Sequence, residues 1–399
     1  MEKMEQFEEN NAYDEIINKI QDEVNPTNDF LEISLINEIK NTISQLEIKC
    51  QGETGETLVE DRCRQLSYAH VLVDIYKKSI GNLIEPSAKL GEAYYDMKYY
   101  EQAKEHIENA LTYNSDPSII KSEELSNDYL FRLIIKLSKC HLETNSFETS
   151  LKFATRALEE NEKIFGEDGF KIEIYNIMYK CEKNMANYQK AIDYLKILLQ
   201  LNEKIYNKVS DKCALICNEI GDLNRLIKNN TEAIEYYLKL YNIEEELVKD
   251  NNKIEDLFQI AIKIGELYAD QKEYTKAYEI LKKTDEDYGN GYNRTIKDRV
   301  IYQRLICSIT SYFEDTNYNL NELFILEKML KDYNENKKTL ARTYLQIGHI
   351  YKKRKEIKKS LEYFTKAEQI FIQNNDMKLL GDVQMIIKEV KKELERQEN

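Results

Sequence analysis

Apolar and small residues recur along most of this chain with the spacing of paired amphipathic helices, in a unit of 39 to 47 residues. The clearest copy consists of Leu90, Gly91, Tyr94, Tyr100, Ala103, Ile107 and Ala110. Two further copies align on it without gaps: Ile264, Gly265, Tyr268, Tyr274, Ala277, Leu281 and Thr284, then Ile347, Gly348, Tyr351, Ile357, Ser360, Phe364 and Ala367. Such internal repetition predicts a repeat protein.

Weaker copies lie between the strong ones and keep parts of the same pattern. They include Phe147, Ser150, Leu151, Ala154 and Ala157, then Tyr188, Ala191, Ile192 and Leu195, then Ile220, Gly221, Ala233, Ile234 and Tyr237. A seventh unit is expected near 302–330, with Tyr312, Tyr318 and Ile325 in the apolar positions. We interpret this unit as degenerate, because Asn321 replaces the small residue.

The small residues explain how such units pack. Two antiparallel helices approach closely only where small side chains face each other, with larger residues filling the spaces between. One pair cannot bury its apolar face alone, so pairs stack into a continuous core. We therefore predict an all-α fold, a right-handed superhelical solenoid of antiparallel helix pairs. The chain's 12 Gly and 3 Pro are too few for a sheet-rich fold of this length.

The pattern resembles the tetratricopeptide repeat family, which places a small residue, an aromatic residue and two alanines as Gly91, Tyr94, Ala103 and Ala110 do here. The resemblance covers roughly residues 84–376. The family's usual period is about 34 residues, so the helices here are longer. The resemblance implies a scaffold that binds partner proteins.

Two narrower resemblances concern shorter stretches. The long repeat, with Lys163 to Asp168 ending one unit in Gly-Glu-Asp, is similar to the kinesin light chain subgroup, although Gly169-Phe170 replaces the His-Pro of that group. The segment from Ala69 to Leu111 also resembles the ciliary tetratricopeptide repeat protein 23 family. These resemblances imply a cytoskeletal, motor-linked or ciliary assembly.

Three regions are expected along the chain, and the first differs from the others in its charge. Residues 1–57 are an acidic N-terminal arm with short helices at Ala12–Ile20 and Phe30–Ile48, residues 58–376 are the repeat array of about seven units, and residues 377–399 are a capping helix. Residues 1–61 hold 16 Asp and Glu against 4 Lys, a net charge of −12 out of −15. The arm is a helical cap or, alternatively, a segment that folds on a basic partner or closes the groove.

Composition also sets the expected compartment. No stretch has the roughly 20 apolar residues of a membrane-spanning helix, the first residues are acidic where a secretory signal is basic, and seven cysteines suit a reducing compartment. We expect a cytoplasmic protein without membrane insertion, and the ciliary resemblance implies the cilium, axoneme or basal body. The acidic balance argues against nucleic acid as a partner.

Catalytic and metal chemistry have little support. The four histidines are scattered, and the sequence lacks a phosphate loop, a nucleophile elbow and a His-Glu-x-x-His motif. Cys213 with Cys217, or Cys140 beside His141, lacks a second ligand pair at zinc-like spacing. We favour buried packing thiols and expect no enzyme activity, cofactor or metal.

A partner peptide or helix is expected on the concave side, lined by the first helix of each pair. The candidate groove residues are Glu85, Glu92, Arg132, Lys139, Glu173, Lys180, Asp222, Glu266, Arg342 and His349. Chaperone-binding members of the resembled family clamp a carboxylate with Lys and Asn. Because Ala88 and Glu92 occupy the first two of those positions, we expect no chaperone co-factor of this type.

A basic cluster lies at the turn of the last clear repeat. It consists of Lys352, Lys353, Arg354, Lys355, Lys358 and Lys359. The turn is either simply solvated or a site for an acidic partner, such as a tubulin tail or the acidic arm. The sequence thus predicts a non-catalytic interaction scaffold. The alternatives are a general cytosolic adaptor and a regulatory sensor whose acidic arm is autoinhibitory.

Overall fold

The protein is all-helical over the residues that its computed structural model describes, which are 29–50, 56–79, 83–115, 125–251, 254–289, 295–332 and 337–398. The helices are α1 Asp29–Cys50, α2 Glu56–Ser79, α3 Ile84–Asp96, α4 Tyr100–Ser115, α5 Asn127–Glu143, α6 Phe147–Glu160, α7 Asp168–Asn184, α8 Tyr188–Tyr206, α9 Asp211–Leu226, α10 Asn230–Asn251, α11 Ile254–Asp270, α12 Tyr274–Tyr288, α13 Ile296–Thr310, α14 Thr316–Asp332, α15 Lys337–Lys353, α16 Ile357–Gln373 and α17 Met377–Glu398. A π-helical turn, Asn161–Phe165, continues α6. None of these helices is long and apolar enough to cross a membrane.

Consecutive helices form antiparallel pairs, as the repeat pattern predicts. The odd-numbered helices α3 to α15 are the first members of their pairs and the even-numbered helices are the second. The helices belong to two compact units, residues Met1–Leu201 and Asn202–Asn399. The all-α fold class and the helix pairs are confirmed.

Glycines allow the two helices of a pair to approach closely. A Cβ atom on Gly91 would lie 2.6 Å from Ile107 Cγ1 and 3.0 Å from the Ile107 backbone nitrogen. A Cβ on Gly348 would lie 2.8 Å from the Phe364 ring. These are the glycine and apolar positions of the repeat pattern, so the predicted frame of the strong copies is confirmed.

The turn between paired helices has a repeated conformation. In the regular pairs three residues connect the helices, and the middle one has positive φ near +60°, a conformation that hydrogen-bonds the last carbonyl groups of the first helix. The middle residues are Lys98, Asn145, Ala186, Lys228, Lys272 and Lys355, and Asn375 has the same role between α16 and α17. The paired helices are therefore joined by the same type of turn throughout the regular pairs.

The unit near 302–330 differs from its predicted register. Tyr312, Tyr318 and Ile325 are 61%, 50% and 39% exposed, so they do not occupy the core positions. Instead, buried Asn319 donates a hydrogen bond to the Cys307 carbonyl oxygen at 3.1 Å. Ser360 makes the corresponding bond to the Gly348 carbonyl, at the same separation of twelve residues. Asn319, and not Asn321, therefore occupies the position of the small residue, so this unit begins two residues earlier than predicted.

The N-terminal residues that the structure describes are packed. The helix expected at Phe30–Ile48 is present as α1, and its Ile36, Ile39 and Ile43 are buried in a core shared with Leu72 of α2. The helix expected at Ala12–Ile20 and most of the acidic arm lie outside the described residues. At the other end, α17 buries Val383, Ile387 and Val390 in a core with Phe364 and Phe371 of α16.

His141 is a buried histidine of α5, and it makes stability depend on pH. Its Nε2 lies 3.0 Å from Glu108 Oε1, and its ring stacks on Phe153. Burial lowers the pKa of His141 below 6.5, although Glu108 opposes this; Lys104 lowers the pKa further and Glu101 raises it. The unfolded chain therefore takes up the proton first as pH falls.

We expect the melting temperature to fall as pH drops below about 6.5, because the neutral imidazole favours the folded state. His141→Gln should flatten this dependence between neutral and mildly acidic pH, as measured by circular dichroism. The variant's own melting temperature at neutral pH is the reference for each curve. Parallel pH curves for the two proteins would contradict a role for this histidine.

Candidate functional site

In the first unit, ion pairs join the first helices of successive pairs. Lys40 Nζ of α1 lies 2.6 Å from Glu85 Oε2 of α3. Lys136 of α5 pairs with Glu92 of α3 at 2.5 Å, and Lys139 of α5 pairs with Glu173 of α7. Lys139 and Glu173 both belong to the predicted groove set. The candidate residues here hold neighbouring helices together.

The carboxylate of Glu92 is fully occupied by contacts within the protein. Glu92 is only 7% exposed. Its carboxylate accepts hydrogen bonds from Tyr129 Oη at 2.6 Å and from Lys136 Nζ at 2.5 Å. Lys89 Nζ adds a weaker contact at 3.9 Å. These donors balance the negative charge of the buried carboxylate and offset the cost of its burial. Glu92 is therefore not positioned to receive a partner.

The second unit has the same arrangement on α9 and α11. Asp222 accepts hydrogen bonds from Tyr237 Oη at 2.5 Å and Lys263 Nζ at 2.8 Å. Burial and the bond to Asp222 raise the pKa of Tyr237, so its hydroxyl stays a donor. Arg225 pairs with Glu266 at 2.9 Å, and because both side chains are more than 40% exposed the pair contributes little stability.

The remaining predicted groove residues are exposed. Arg132 pairs with Asp128 at 2.9 Å and its guanidinium lies 5.4 Å from the centre of the Phe170 ring. Lys180 lies on the exposed side of α7. His349 packs edge-on against the Phe364 ring, and partial burial of its imidazole lowers its pKa, with Lys352 lowering it further. These three residues are therefore accessible to solvent.

Arg342, one of the predicted groove residues, lines a cleft. The cleft has a volume of about 430 Å³ and lies among α13, α14 and α15. Its polar lining is Arg304, Arg342, Ser308, Thr339, Thr343 and Gln346. Its apolar lining is Ile301, Leu305, Cys307 and Leu326. We call this the arginine cleft.

The arginine cleft suits an anionic group. Arg304 and Arg342 are both exposed, and a guanidinium binds a carboxylate through two parallel hydrogen bonds. Ile301 is 49% exposed beside them and offers an apolar contact. Arg304 is not among the predicted groove residues. It lies three residues before Cys307, whereas the predicted set takes the positions six before and one after the corresponding residue of each pair.

The basic turn is partly neutralised by its neighbours. Lys352 lies 3.5 Å from Glu389, and Lys359 pairs with Glu356 at 2.7 Å. Arg354 donates to Thr316 Oγ1 and Asn317 Oδ1, both at 2.7 Å. Lys353, Lys355 and Lys358 are exposed. The local positive field is therefore smaller than six charges would give.

The cysteines are buried, free thiols throughout the described part of the chain. Burial raises the pKa of Cys140, Cys217 and Cys307 to about 12. Thiols with such pKa values are protonated at neutral pH and are poor nucleophiles and metal ligands. Among the residues with described positions, no group of three or more His, Cys, Asp or Glu is arranged to hold a metal ion.

Comparison with known proteins identifies two of the helix pairs. Residues 87–117 and 341–371 match the family model of the tetratricopeptide repeat. These stretches contain the glycine contacts of Gly91 and Gly348 described above. The chain carries tetratricopeptide repeats. No curated protein sequence matches it.

Several solved structures are similar to these tetratricopeptide repeats at low identity. BtubC (BKLC) from P. vanneervenii is 17% identical, with a TM-score of 0.41 over 61% of this chain and 95% of that one. The C-terminal part of a TPR repeat-containing protein from Cytophaga hutchinsonii is 11% identical, with a TM-score of 0.45 over 74% and 95%. The TPR-like repeats of a candidate kinesin light chain from Podosopora anserina are 10% identical, with a TM-score of 0.38 over 51% and 97%. These values are too low to carry a partner or a site over to this chain.

Several of the basic partners in the ion pairs between successive helix pairs are not among the predicted groove residues. Lys40, Lys136, Arg225 and Lys263 each pair with a predicted groove residue that lies 41 to 45 positions away. This distance is about one repeat period. A search for opposite charges one period apart would have found them.

Proposed function

We propose that this chain is a non-catalytic interaction scaffold that binds a partner peptide or helix on the face formed by the first helices of its tetratricopeptide repeats. The arginine cleft is the observation that carries the proposal. Stacked repeats offer extended surfaces of this kind to peptides. The ion-paired groove residues give the face its rigidity, and the exposed residues, Arg342 above all, give it contacts.

The cleft favours a segment with a carboxylate next to an apolar side chain. Arg304 and Arg342 supply ten N–H donors in two planar groups, and Ser308 and Gln346 add further polar atoms on the same lining. Ile301 and Leu305 lie beside them. An acidic peptide with a leucine or isoleucine beside its Asp or Glu would use both parts.

Reversing the charge of the cleft is expected to weaken binding of such a peptide. We expect Arg304→Glu with Arg342→Glu to lower affinity for a fluorescein-labelled Glu- and Leu-containing peptide about tenfold or more, since two charge-assisted contacts are lost. Fluorescence anisotropy measures the change. Both side chains are exposed, so the melting temperature should stay close to that of the unmodified protein.

Two variants with the same change in net charge locate the effect. Lys208→Glu with Lys228→Glu reverses two exposed lysines elsewhere in the second unit and should leave the affinity almost unchanged. Lys353→Glu with Lys355→Glu tests the basic turn. If all three pairs weaken binding equally, general electrostatics explains it and the cleft is excluded; if only the turn variant does, the acidic partner binds there.

The cellular context that we propose is a cytoskeletal, motor-linked or ciliary assembly. It is supported by the resemblance of the long repeat and of the turn at Gly166, which has the positive φ of +66° that suits glycine. Proximity labelling of the tagged protein, with its location by light microscopy, tests this. Enrichment of axonemal or basal-body proteins would support it, whereas a diffuse pattern with other partners would favour a general cytosolic adaptor.

The regulatory alternative concerns the acidic arm, residues 1–57, of which residues 1–28 precede α1 and can be removed without it. If they compete for the arginine cleft, a protein that begins at residue 29 should bind the acidic probe more tightly than the full chain. This truncation keeps α1, whose isoleucines belong to the core with α2. Equal affinity would exclude autoinhibition for that probe.

A further inference from the structure

Five aromatic rings form a surface cluster in the second unit, at the end where α12 begins and α13 is joined to α14. Tyr274 and Tyr278 come from α12, Tyr312 and Phe313 from the connector after α13, and Tyr318 from α14. Tyr312 is 61% exposed and Tyr318 is 50% exposed. Large aromatic side chains this exposed and this close together form a contiguous surface rather than scattered apolar residues.

The cluster is produced by the irregular connector of this unit. Residues 311–315 join α13 to α14, five residues where the regular turns have three, and none of the five has positive φ. The connector is longer because α13 ends three residues after Cys307, whereas the regular first helices end five residues after the corresponding position, so Tyr312 and Phe313 lie outside the helices. This connector is where the sequence departs from the repeat pattern, and such departures are expected at functional positions.

The rings are positioned by one another. Tyr274 and Tyr312 are parallel, with ring centres 4.2 Å apart and planes 2° from parallel. Phe313 meets Tyr278 and Tyr318 edge-on, with centres 5.6 and 5.7 Å away. Tyr278 Oη donates to Glu322 at 3.1 Å, which fixes that ring from below. Mutual stacking of this kind holds ring faces in place at a solvent-exposed site.

A groove of about 700 Å³ is lined by these rings and by charged residues of mainly negative sign. The carboxylates are Glu273, Glu279, Glu314 and Asp315, and the ammonium groups are Lys272 and Lys276. Lys276 pairs with Glu273. With that pair set aside, the charged residues of the lining are three exposed carboxylates, Glu279, Glu314 and Asp315, and one ammonium group, Lys272. The groove is therefore acidic as well as aromatic.

We propose that this aromatic groove binds an arginine-bearing segment of a partner protein. A guanidinium stacks flat on aromatic rings and at the same time forms paired hydrogen bonds with a carboxylate, and both partners are present here. A lysine ammonium is a compact point charge that does not stack in this way. The site is distinct from the arginine cleft, which favours an acidic segment.

The test compares two fluorescein-labelled peptides of equal charge, one with two arginines separated by glycine and serine residues and one with lysines instead. We expect the arginine peptide to bind at least about fivefold more tightly. Tyr312→Ser with Tyr318→Ser should lower its affinity about tenfold and remove the preference over lysine. These substitutions leave the net charge of −15 unchanged, so nonspecific attraction to the acidic chain is unaffected.

Two further variants complete the test. Tyr206→Ser removes another tyrosine of the same unit, 46% exposed at the end of α8, and should have no effect. Glu279→Gln with Glu314→Gln alters two exposed carboxylates and should weaken the arginine peptide if the double tyrosine variant proves unstable. Equal binding of the two peptides, unchanged by the serine substitutions, would overturn the proposal, as would tighter binding of an uncharged proline-rich peptide in competition for the groove.

Discussion

Ala103→Asp is expected to lower the free energy of unfolding by about 3–5 kcal/mol, because it places an unpaired carboxylate between two packed helices. Ala103 is completely buried. It lies in a core with Ile107 and Ala110 of its own helix and Leu133 and Leu137 of the next pair. Chemical denaturation followed by circular dichroism measures the loss.

The neighbouring residue provides a matched control for this substitution. Gln102 is exposed on the same turn of α4, so Gln102→Asp makes the same change in charge one residue away without burying the carboxylate. We expect its free energy of unfolding to stay within about 0.5 kcal/mol of the unmodified protein. Equal stability of the Ala103 and Gln102 variants would show that the repeat frame is wrong.

Gly221→Ala is expected to destabilise the second unit by about 2 kcal/mol, although alanine is the better helix former. The added Cβ would lie 2.5 to 2.9 Å from three atoms of the Tyr237 ring. That ring is fully buried and its hydroxyl is hydrogen-bonded to Asp222, so it cannot move aside. Thermal melting should show the loss.

Gly381→Ala gives the opposite expectation in the same unit. Gly381 lies on the exposed side of α17, and a Cβ there meets no atom within 4 Å. Helix propensity alone should then stabilise the chain by about 0.5–1 kcal/mol. The two glycine substitutions should therefore shift the melting temperature in opposite directions, and shifts of the same sign would refute the close approach at Gly221.

The repeat frame could be predicted from sequence because close helix contacts accept few residue types. Gly91 with Ile107 and Gly348 with Phe364 occupy the predicted positions in the structure. The unit near 302–330 was harder, because Asn319 replaces the usual small residue and satisfies a carbonyl oxygen of the neighbouring helix with its own amide. Neither periodicity nor residue size reveals such a substitution.

The candidate groove was predictable only in part. The sequence identifies which helices come first in each pair, and so which side chains can face a partner. It does not show which charged side chains form ion pairs with the next helix, as Glu92 does with Lys136. Nor does it show that Arg304 and Arg342 line one cleft. Those outcomes depend on the phase of one helix against its neighbour and on the length of the connector before α14.

The ion pairs between first helices have a consequence for folding. Repeats of similar sequence can stack in the wrong order, because their apolar faces are interchangeable. In the first unit the signs alternate: Glu85 and Glu92 on α3 meet lysines of α1 and α5, and Glu173 on α7 meets Lys139 of α5. A chain that skipped α5 during folding would bring acidic α3 against Glu173. Like charges would then repel across the misplaced contact, which would favour stacking of the helices in the order of the sequence.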